Sequence, residues 1–293
     1  MIINWFPGHM NKALQMMQNE LDLIDVAVYV LDSRAPFSCV NPSFVDIVKN
    51  KPIIYVLNKA DLVKPEDLQK WQKYFKGENI TNITLNSTES NSSKKLLEAV
   101  KNLNIKKLVK NEKRGITIPL RMMIIGVPNC GKSTLINNLC GKGKAITGDR
   151  AGVTRGKQWV AVADNLEVLD TPGTLWPNLE NTVVAHNLAY IGSIKEEVLD
   201  VSSLALDFIM DILKKDKTLL ENRYSINIDN YDIDNIDNIY ENEDLKQFAL
   251  EIYENICKKR GFLLKNKEFD YERCARAILD DFKKGRLGKI ILD

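Results

Sequence analysis

A chain of 293 residues, 44% hydrophobic and 27% charged, is long and apolar enough for a real core and points to two domains rather than a disordered polymer. Its 41 basic side chains against 39 acidic ones leave a net charge of +2, so the overall balance singles out no partner. Five cysteines (39, 130, 140, 257 and 274) form no C-x-x-C pair, which excludes a zinc ribbon or disulfide framework and predicts reduced, cytosolic thiols.

The N-terminus carries neither a secretory nor a transit pattern, and no apolar run approaches the ~20 residues of a membrane span. The expected compartment is the cytoplasm. Met10, Leu14, Met17, Leu21 and Ile24 recur at helical spacing and predict a helix after "FPGH". "VAVYVLD" (26–32) predicts a buried parallel strand. Asn41 and Pro42 read as the cap and first position of the next helix. "PIIYVLNKAD" (52–61) predicts a second strand running into a loop. A helix from Pro65, a strand "NITLNS" (82–87) and a helix over 93–103 follow.

The segment 105–114, with five basic residues and one acidic, reads as a linker. "LRMMIIG" (120–126) predicts a fourth strand before a glycine-containing loop and a helix from Lys132. "KQWVAVA" (157–163) and "NLEVLD" (165–170) read as a strand pair. Beyond residue 176 the expected texture is helical, over 182–192, 195–214, 245–260 and 270–284. Residues 224–244 hold seven acidic and no basic residues, but their isoleucines argue against full disorder. Alternating strands and helices imply an α/β fold with a mostly parallel sheet over residues 1–176 and a smaller all-α domain over 177–293.

"GVPNCGKS" (126–133) fits the phosphate-loop pattern G-x-x-x-x-G-K-[ST] between a predicted strand and helix. Successive N–H groups through Asn129, Cys130 and Gly131, with the helix's positive end, suit a phosphate anion. Lys132 is expected to reach the β- and γ-phosphates, Ser133 to bind Mg²⁺, and Thr134 to contact the α-phosphate. "NKAD" (58–61) sits at a strand end. The guanine edge offers two adjacent donors that the Asp61 carboxylate can accept together, whereas adenine offers an acceptor there. Asn58 can hold the purine's other side and tie loops together, and the Lys59 stem can cover a base face. A bare helix cap at Asp61 is the alternative. Asn86 and Ser87 follow the next strand, where the Ser87 backbone can face the base oxygen. "DTPG" (170–173) offers Asp170 to Mg²⁺ through a water and the Gly173 N–H to the γ-phosphate. Thr154 is the favoured second Mg²⁺ hydroxyl, with Thr147 the competitor.

The order N-K-x-D, G-x-P-N-x-G-K-S, G-x-T, D-T-P-G resembles the circularly permuted GTPases. Within them, "WFPGHMNKA" (5–13), "DSRAPFSCVNP" (32–42), "DTPGTLWP" (170–177) and "RCARAILDDFKKGRLGKIILD" (273–293) resemble the ribosome biogenesis GTPase A family. The resemblance covers nearly the whole chain. It implies a P-loop GTPase fold, GTP hydrolysis to GDP coupled to late assembly of the large ribosomal subunit, and a helical domain that contacts rRNA. Off the ribosome the chain is expected to be a monomer. Three positions and the acidic stretch 225–244 depart from that resemblance. Cys39-Val40 stands where the family has Ser-Arg, and Thr174 stands where an apolar residue is usual.

No glutamine follows D-T-P-G to orient water, and no arginine finger is evident, Arg150 and Arg155 being loop candidates. His9, in the family's "FPGHM" context, is the candidate catalytic group, with a structural or RNA contact as the alternative. Asn129 can hold K⁺, as in GTPases resembling this one, or simply favour a turn. Arg273, Arg276, Lys283, Lys284, Arg286 and Lys289 are expected to meet rRNA phosphates. Two other readings stay open: a GTP-dependent RNA-binding module with negligible hydrolysis, and a P-loop ATPase with a fortuitous N-K-A-D.

Overall fold

A computed structural model describes residues 8–103, 119–141, 158–163, 166–177, 179, 181–229, 236 and 238–293. The chain forms two compact units: the residues up to 194 together with 290–293, and residues 195–289. The division expected after residue 176 and this one differ mainly by the helix Thr182–Tyr190, which lies in the first unit.

The first unit is built on β1 (Val26–Asp32), β2 (Ile53–Asn58), β3 (Ile80–Thr84), β4 (Leu120–Ile125), β5 (Gln158–Ala163) and β6 (Leu166–Asp170). They form one sheet in the order β3-β2-β1-β4-β6-β5. Only β5 runs antiparallel. Every residue of β1 and β2 is buried. A central parallel strand is covered on both faces, which is why these stretches read as unbroken apolar runs. β3 begins at Ile80 and stops at Thr84, earlier than "NITLNS" suggested, because Asn86 turns the chain by accepting from the Thr88 N–H and hydroxyl.

The flanking helices are α1 (Gly8–Glu20), α2 (Pro42–Val48), α3 (Pro65–Tyr74), α4 (Ser92–Asn102), α5 (Lys132–Leu139) and α6 (Thr182–Tyr190). α1 buries Met10, Ala13 and Met17. It gives way to a 3-10 turn at Leu21, so Ile24 is buried beyond the helix rather than on its stripe. Asn41 caps α2 by accepting from the Ser43 N–H at 2.9 Å, and Pro42 sits where no donor is needed.

The second unit holds α7 (Val201–Asp216), α8 (Thr218–Tyr224), α9 (Glu243–Arg260) and α10 (Tyr271–Lys283). The helix expected from 195 is interrupted. A 3-10 turn, Glu196–Val198, precedes Asp200, whose carboxylate caps α7 by accepting from the Ser202 and Ser203 N–H groups. Phe208 and Phe282 pack with ring centroids 5.0 Å apart and planes tilted by 50°, and both are buried, each worth roughly 2–3 kcal/mol of transfer free energy. In the acidic stretch, Ile228 and Ile239 are buried and the Tyr240 hydroxyl bonds Asp211, so its isoleucines anchor it. No helix of the described residues is long and apolar enough to cross a membrane.

Candidate nucleotide-binding site

The parallel strands end at one edge of the sheet. Asp32 lies opposite Asn58 in the β1–β2 register, and Ile124 opposite Asp170 in the β4–β6 register. From β1 the chain proceeds to β2 and β3 on one side; from β4 it leads to β6 and β5 on the other. Ligands of open α/β sheets bind in the crevice made by such a reversal, here between β1 and β4.

At that crevice the N-K-A-D segment and the phosphate loop meet. Asn58 is fully buried; its Nδ2 donates to the Cys130 carbonyl at 2.7 Å, and its Oδ1 accepts from the Ser87 N–H at 2.9 Å. One amide therefore joins the loops that follow β2, β3 and β4. Lys59 adopts left-handed backbone (φ 57°), and its Nζ donates to the Asn129 carbonyl at 2.8 Å. Gly131 faces Asn58 with φ at 103°, and a Cβ there would overlap the Asn58 amide. Glycine is required twice over, by the positive φ and by the close approach. Asp61 lies in the 3-10 turn that continues this loop, with its side chain exposed to solvent.

Within the phosphate loop, Lys132 is buried and its Nζ donates to the Gly126 and Val127 carbonyls at 3.0 and 2.9 Å. Ser133 and Thr134 are half-buried in the first turn of α5. Burial pushes the Cys130 thiol up, against the pull of the Lys132 ammonium, so it is an inert wall of the loop. Asn129 is also left-handed (φ 59°), and its Nδ2 donates to the Gly192 carbonyl at 2.7 Å. The buried Ser193 hydroxyl donates to the Pro128 carbonyl at 2.7 Å. The turn after α6 therefore grips the loop from outside. Gly192 and Ser193 escaped the sequence reading because a Gly-Ser turn carries no mark of its spatial partner.

D-T-P-G lies against the same loop. Asp170 is wholly buried, and the Thr171 hydroxyl donates to the Ile124 carbonyl at 2.6 Å. A Cβ on Gly173 would stand 2.7 Å from the Pro128 Cα and 2.9 Å from the Lys132 Nζ, so only glycine fits. Thr174 and Leu175 are fully buried, and the Leu175 N–H points at the Met10 sulfur at 3.5 Å. His9, exposed in the first turn of α1, is the neighbour of that methionine. His186 is fully buried beside Tyr190, and desolvation depresses its pKa to about 4. Thr154, Thr147, Arg150 and Arg155 lie outside the described residues.

Beneath the site is a charge cluster that the sequence did not single out. Asp32 is buried and accepts from the Arg34 Nε and Nη2 at 2.9 and 2.7 Å, while its Oδ2 is 2.9 Å from the Lys59 Nζ. Burial alone would raise this carboxyl, but the Arg34 and Lys59 cations hold it well below the usual carboxylate range. The Arg34 carbonyl accepts from the Leu292 N–H at 2.7 Å. The Asp293 carboxylate accepts from the Phe37 and Ser38 N–H groups at 2.6 and 3.1 Å, and from the Asn187 Nδ2 at 3.0 Å. Residues 290–293 thus complete the first unit's own loops.

The Ser133 hydroxyl and the Asp170 carboxylate are hard oxygen donors, the class that Mg²⁺ takes beside phosphate oxygens. Among the described residues no group of three His, Cys, Asp or Glu forms a metal site alone, so a cation here would draw most of its ligands from the nucleotide and water. Asn129 has its amide nitrogen committed to Gly192, which makes the oxygen the atom suited to K⁺.

The family model described as 50S ribosome-binding GTPase matches residues 121–245. Ribosome biogenesis GTPase A of Bacillus cereus is 36% identical over 294 residues, spanning 100% of this chain and 94% of that protein. The protein of the same name from Bacillus licheniformis is 36% identical over 291 residues, spanning 99% and 97%. Among solved structures, GNP-bound YlqF from T. maritima is 25% identical with a TM-score of 0.61, covering 96% of this chain and 97% of that one. Identity of this extent along the full length, on a sheet whose edge joins a phosphate loop to N-K-A-D, assigns the chain to the ribosome biogenesis GTPase A family.

Proposed function

We propose that this chain hydrolyses GTP to GDP as an assembly factor acting late in maturation of the large ribosomal subunit, binding that particle or its precursor and its rRNA. The observation that supports the nucleotide reading is the bonding of Asn58 and Lys59 to the Cys130 and Asn129 carbonyls, which ties the N-K-A-D segment to the phosphate-loop motif. Asp61 accepts guanine's two donors, Gly131 and the loop amides receive the phosphates, and Lys132 turns from its carbonyls toward the β- and γ-oxygens. Ser133, Thr154 and, through water, Asp170 would hold Mg²⁺, which when bound would neutralise charge on the transferring phosphoryl group. Nucleotide competition tests this reading. GTP should displace a labelled guanine nucleotide where ATP does not, and Asp61→Asn should erase the preference; equal competition by ATP returns the chain to the ATPase reading.

For hydrolysis, His9 orients the attacking water, since Thr174 and Leu175 are buried and offer no group to it. Asn129 would hold K⁺, which would add positive charge in a largely electrostatic reaction. His9→Ala should keep GTP affinity and lose the turnover stimulated by large subunits; unchanged stimulated turnover removes His9 from the mechanism. The same burial of Thr174 and Leu175 favours a second reading, a GTP-dependent RNA-binding module with negligible hydrolysis. Phosphate release measured with and without large subunits separates the two. The proposed setting is the cytoplasm, with the chain monomeric off the particle.

A further inference from the structure

The helical unit divides its cations into two classes. On and after α10, four of the basic side chains are spent in ion pairs inside the unit. Arg276 pairs with Glu196 and Glu272 at 2.8 and 2.9 Å, and Lys283 with Glu196 at 2.8 Å. Lys284 pairs with Asp280 at 3.0 Å, and Arg286 with Asp281 at 2.6 Å. A phosphate arriving there must compete with carboxylates already in place.

The link between α9 and α10 differs. Gly261 ends α9 in left-handed backbone, and the chain doubles back as a short finger. Leu263 pairs with Phe269 in an antiparallel bridge, and the Leu264 N–H donates to the Glu268 carbonyl at 2.8 Å. The finger is braced at its base by Lys258, whose Nζ lies 5.4 Å from the Phe269 ring centre, and by Arg273, 5.1 Å from that of Phe262. Residues 258–269 carry five basic side chains and one acidic, Glu268. Lys258, Lys259, Lys265 and Lys267 are exposed, and among the described residues none of them forms an ion pair. Between them Leu263 and Leu264 stand 43% and 47% exposed.

We propose that this finger, residues 261–270 with Lys258 and Lys259 at its base, is the surface by which the helical unit grips structured RNA, in place of the α10 face. The inference rests on the function proposed above and names the site of its RNA contact. Unpaired cations release counterions from a phosphate backbone without first breaking internal pairs, so they supply more binding free energy per charge. The leucines between them give apolar area that fits sugar and base faces in a shallow RNA minor groove.

The test uses the full chain with a GTP analogue, and as probes intact large subunits and protein-free large-subunit rRNA. The variant K258E/K259E/K265E/K267E should lose about a hundredfold in affinity for both probes, with a salt slope shallower by roughly one for each phosphate no longer neutralised. Its guanine-nucleotide affinity and melting temperature serve as folding controls. R276E/K284E should bind as the parent chain does. If instead R276E/K284E loses binding and the lysine variant does not, the finger is overturned and the assembly-factor reading stands. A lysine variant that fails on particles but binds free rRNA with an unchanged salt slope means the finger meets a ribosomal protein, which also overturns the proposal. If the parent chain binds neither probe, the functional reading itself falls, and the finger with it. Leu263→Ser with Leu264→Ser should weaken RNA binding without changing the salt slope; an unchanged affinity removes the leucines from the interface.

Discussion

Two aspartates in this molecule each hold two cations, in different surroundings. Asp32, at the end of β1, holds Arg34 and Lys59, and the Arg34 side chain is 2% exposed. Asp281, in α10, holds Arg223 and Arg286, whose side chains are 28% and 41% exposed. Both carboxyls sit below their ordinary range because the cations outweigh burial. The consequences of losing them differ, because Arg34 is out of reach of water, whereas Lys59, 26% exposed, and both arginines at Asp281 are not. Without Asp281 the two arginines relax into solvent. Without Asp32 a guanidinium stays in the core with no counterion, and Lys59 loses half of its anchorage under the nucleotide loop. The same chemistry is an internal foundation in one unit and a rim contact in the other.

The largest test of that contrast is Asp32→Ala. Stranding Arg34 should cost about 3–5 kcal/mol in denaturant unfolding, and weaken GTP and GDP binding alike in whatever remains folded. The double variant Asp32→Asn with Arg34→Met should recover much of the stability, because the buried charge goes too; failure to recover would mean Asp32 acts through another partner.

His186 sharpens the comparison by pH, since it shares the first unit's dry interior. It is a base whose folded pKa, about 4, lies below its ordinary 6.5, so between those values the unfolded chain binds the proton and the folded chain resists it. Stability should therefore fall by about 3 kcal/mol as pH drops from 6.5 towards 4, and His186→Phe should flatten that part of the profile. The cluster at Asp32 has the carboxylate sign. Its contribution is present above an ordinary unfolded pKa of about 3.9 and is lost only as pH falls on through the depressed folded value. An unchanged slope in His186→Phe would place the acid sensitivity elsewhere.

Asp281→Ala should cost less, about 1–2 kcal/mol, chiefly by taking an acceptor from the buried Tyr224 hydroxyl at 3.1 Å. A loss as large as that at Asp32 would break the contrast. The smallest effect belongs to Arg276→Ala, an exposed pair expected to change stability by no more than about 0.5 kcal/mol.

Several elements were legible because their causes are local. The apolar runs of β1 and β2, the Asn41-Pro42 start of α2 and the Gly131-Lys132-Ser133 loop each follow from neighbouring residues. Short elements were harder. α8, seven residues long, is too brief for a periodic stripe, and the break before α7 depends on one cap at Asp200. At the site, Asp61 and Lys132 could be named from their motifs. Asp32, Gly192, Ser193 and Asp293 could not, because each works through a partner far along the chain.

By itself the sequence determined the list of chemical parts: a phosphate-loop motif, an N-K-A-D segment, and strands apolar enough to be buried on both faces. Tertiary structure decided how those parts are held. Asn58 reaches Cys130, Lys59 reaches Asn129 and Asp32, and the last residues of the chain return to Arg34 and Ser38. Spacing along a chain records backbone preference and periodicity. It does not record which buried charge will find its counterion across a sheet, since that depends on the strand order and on water having been excluded.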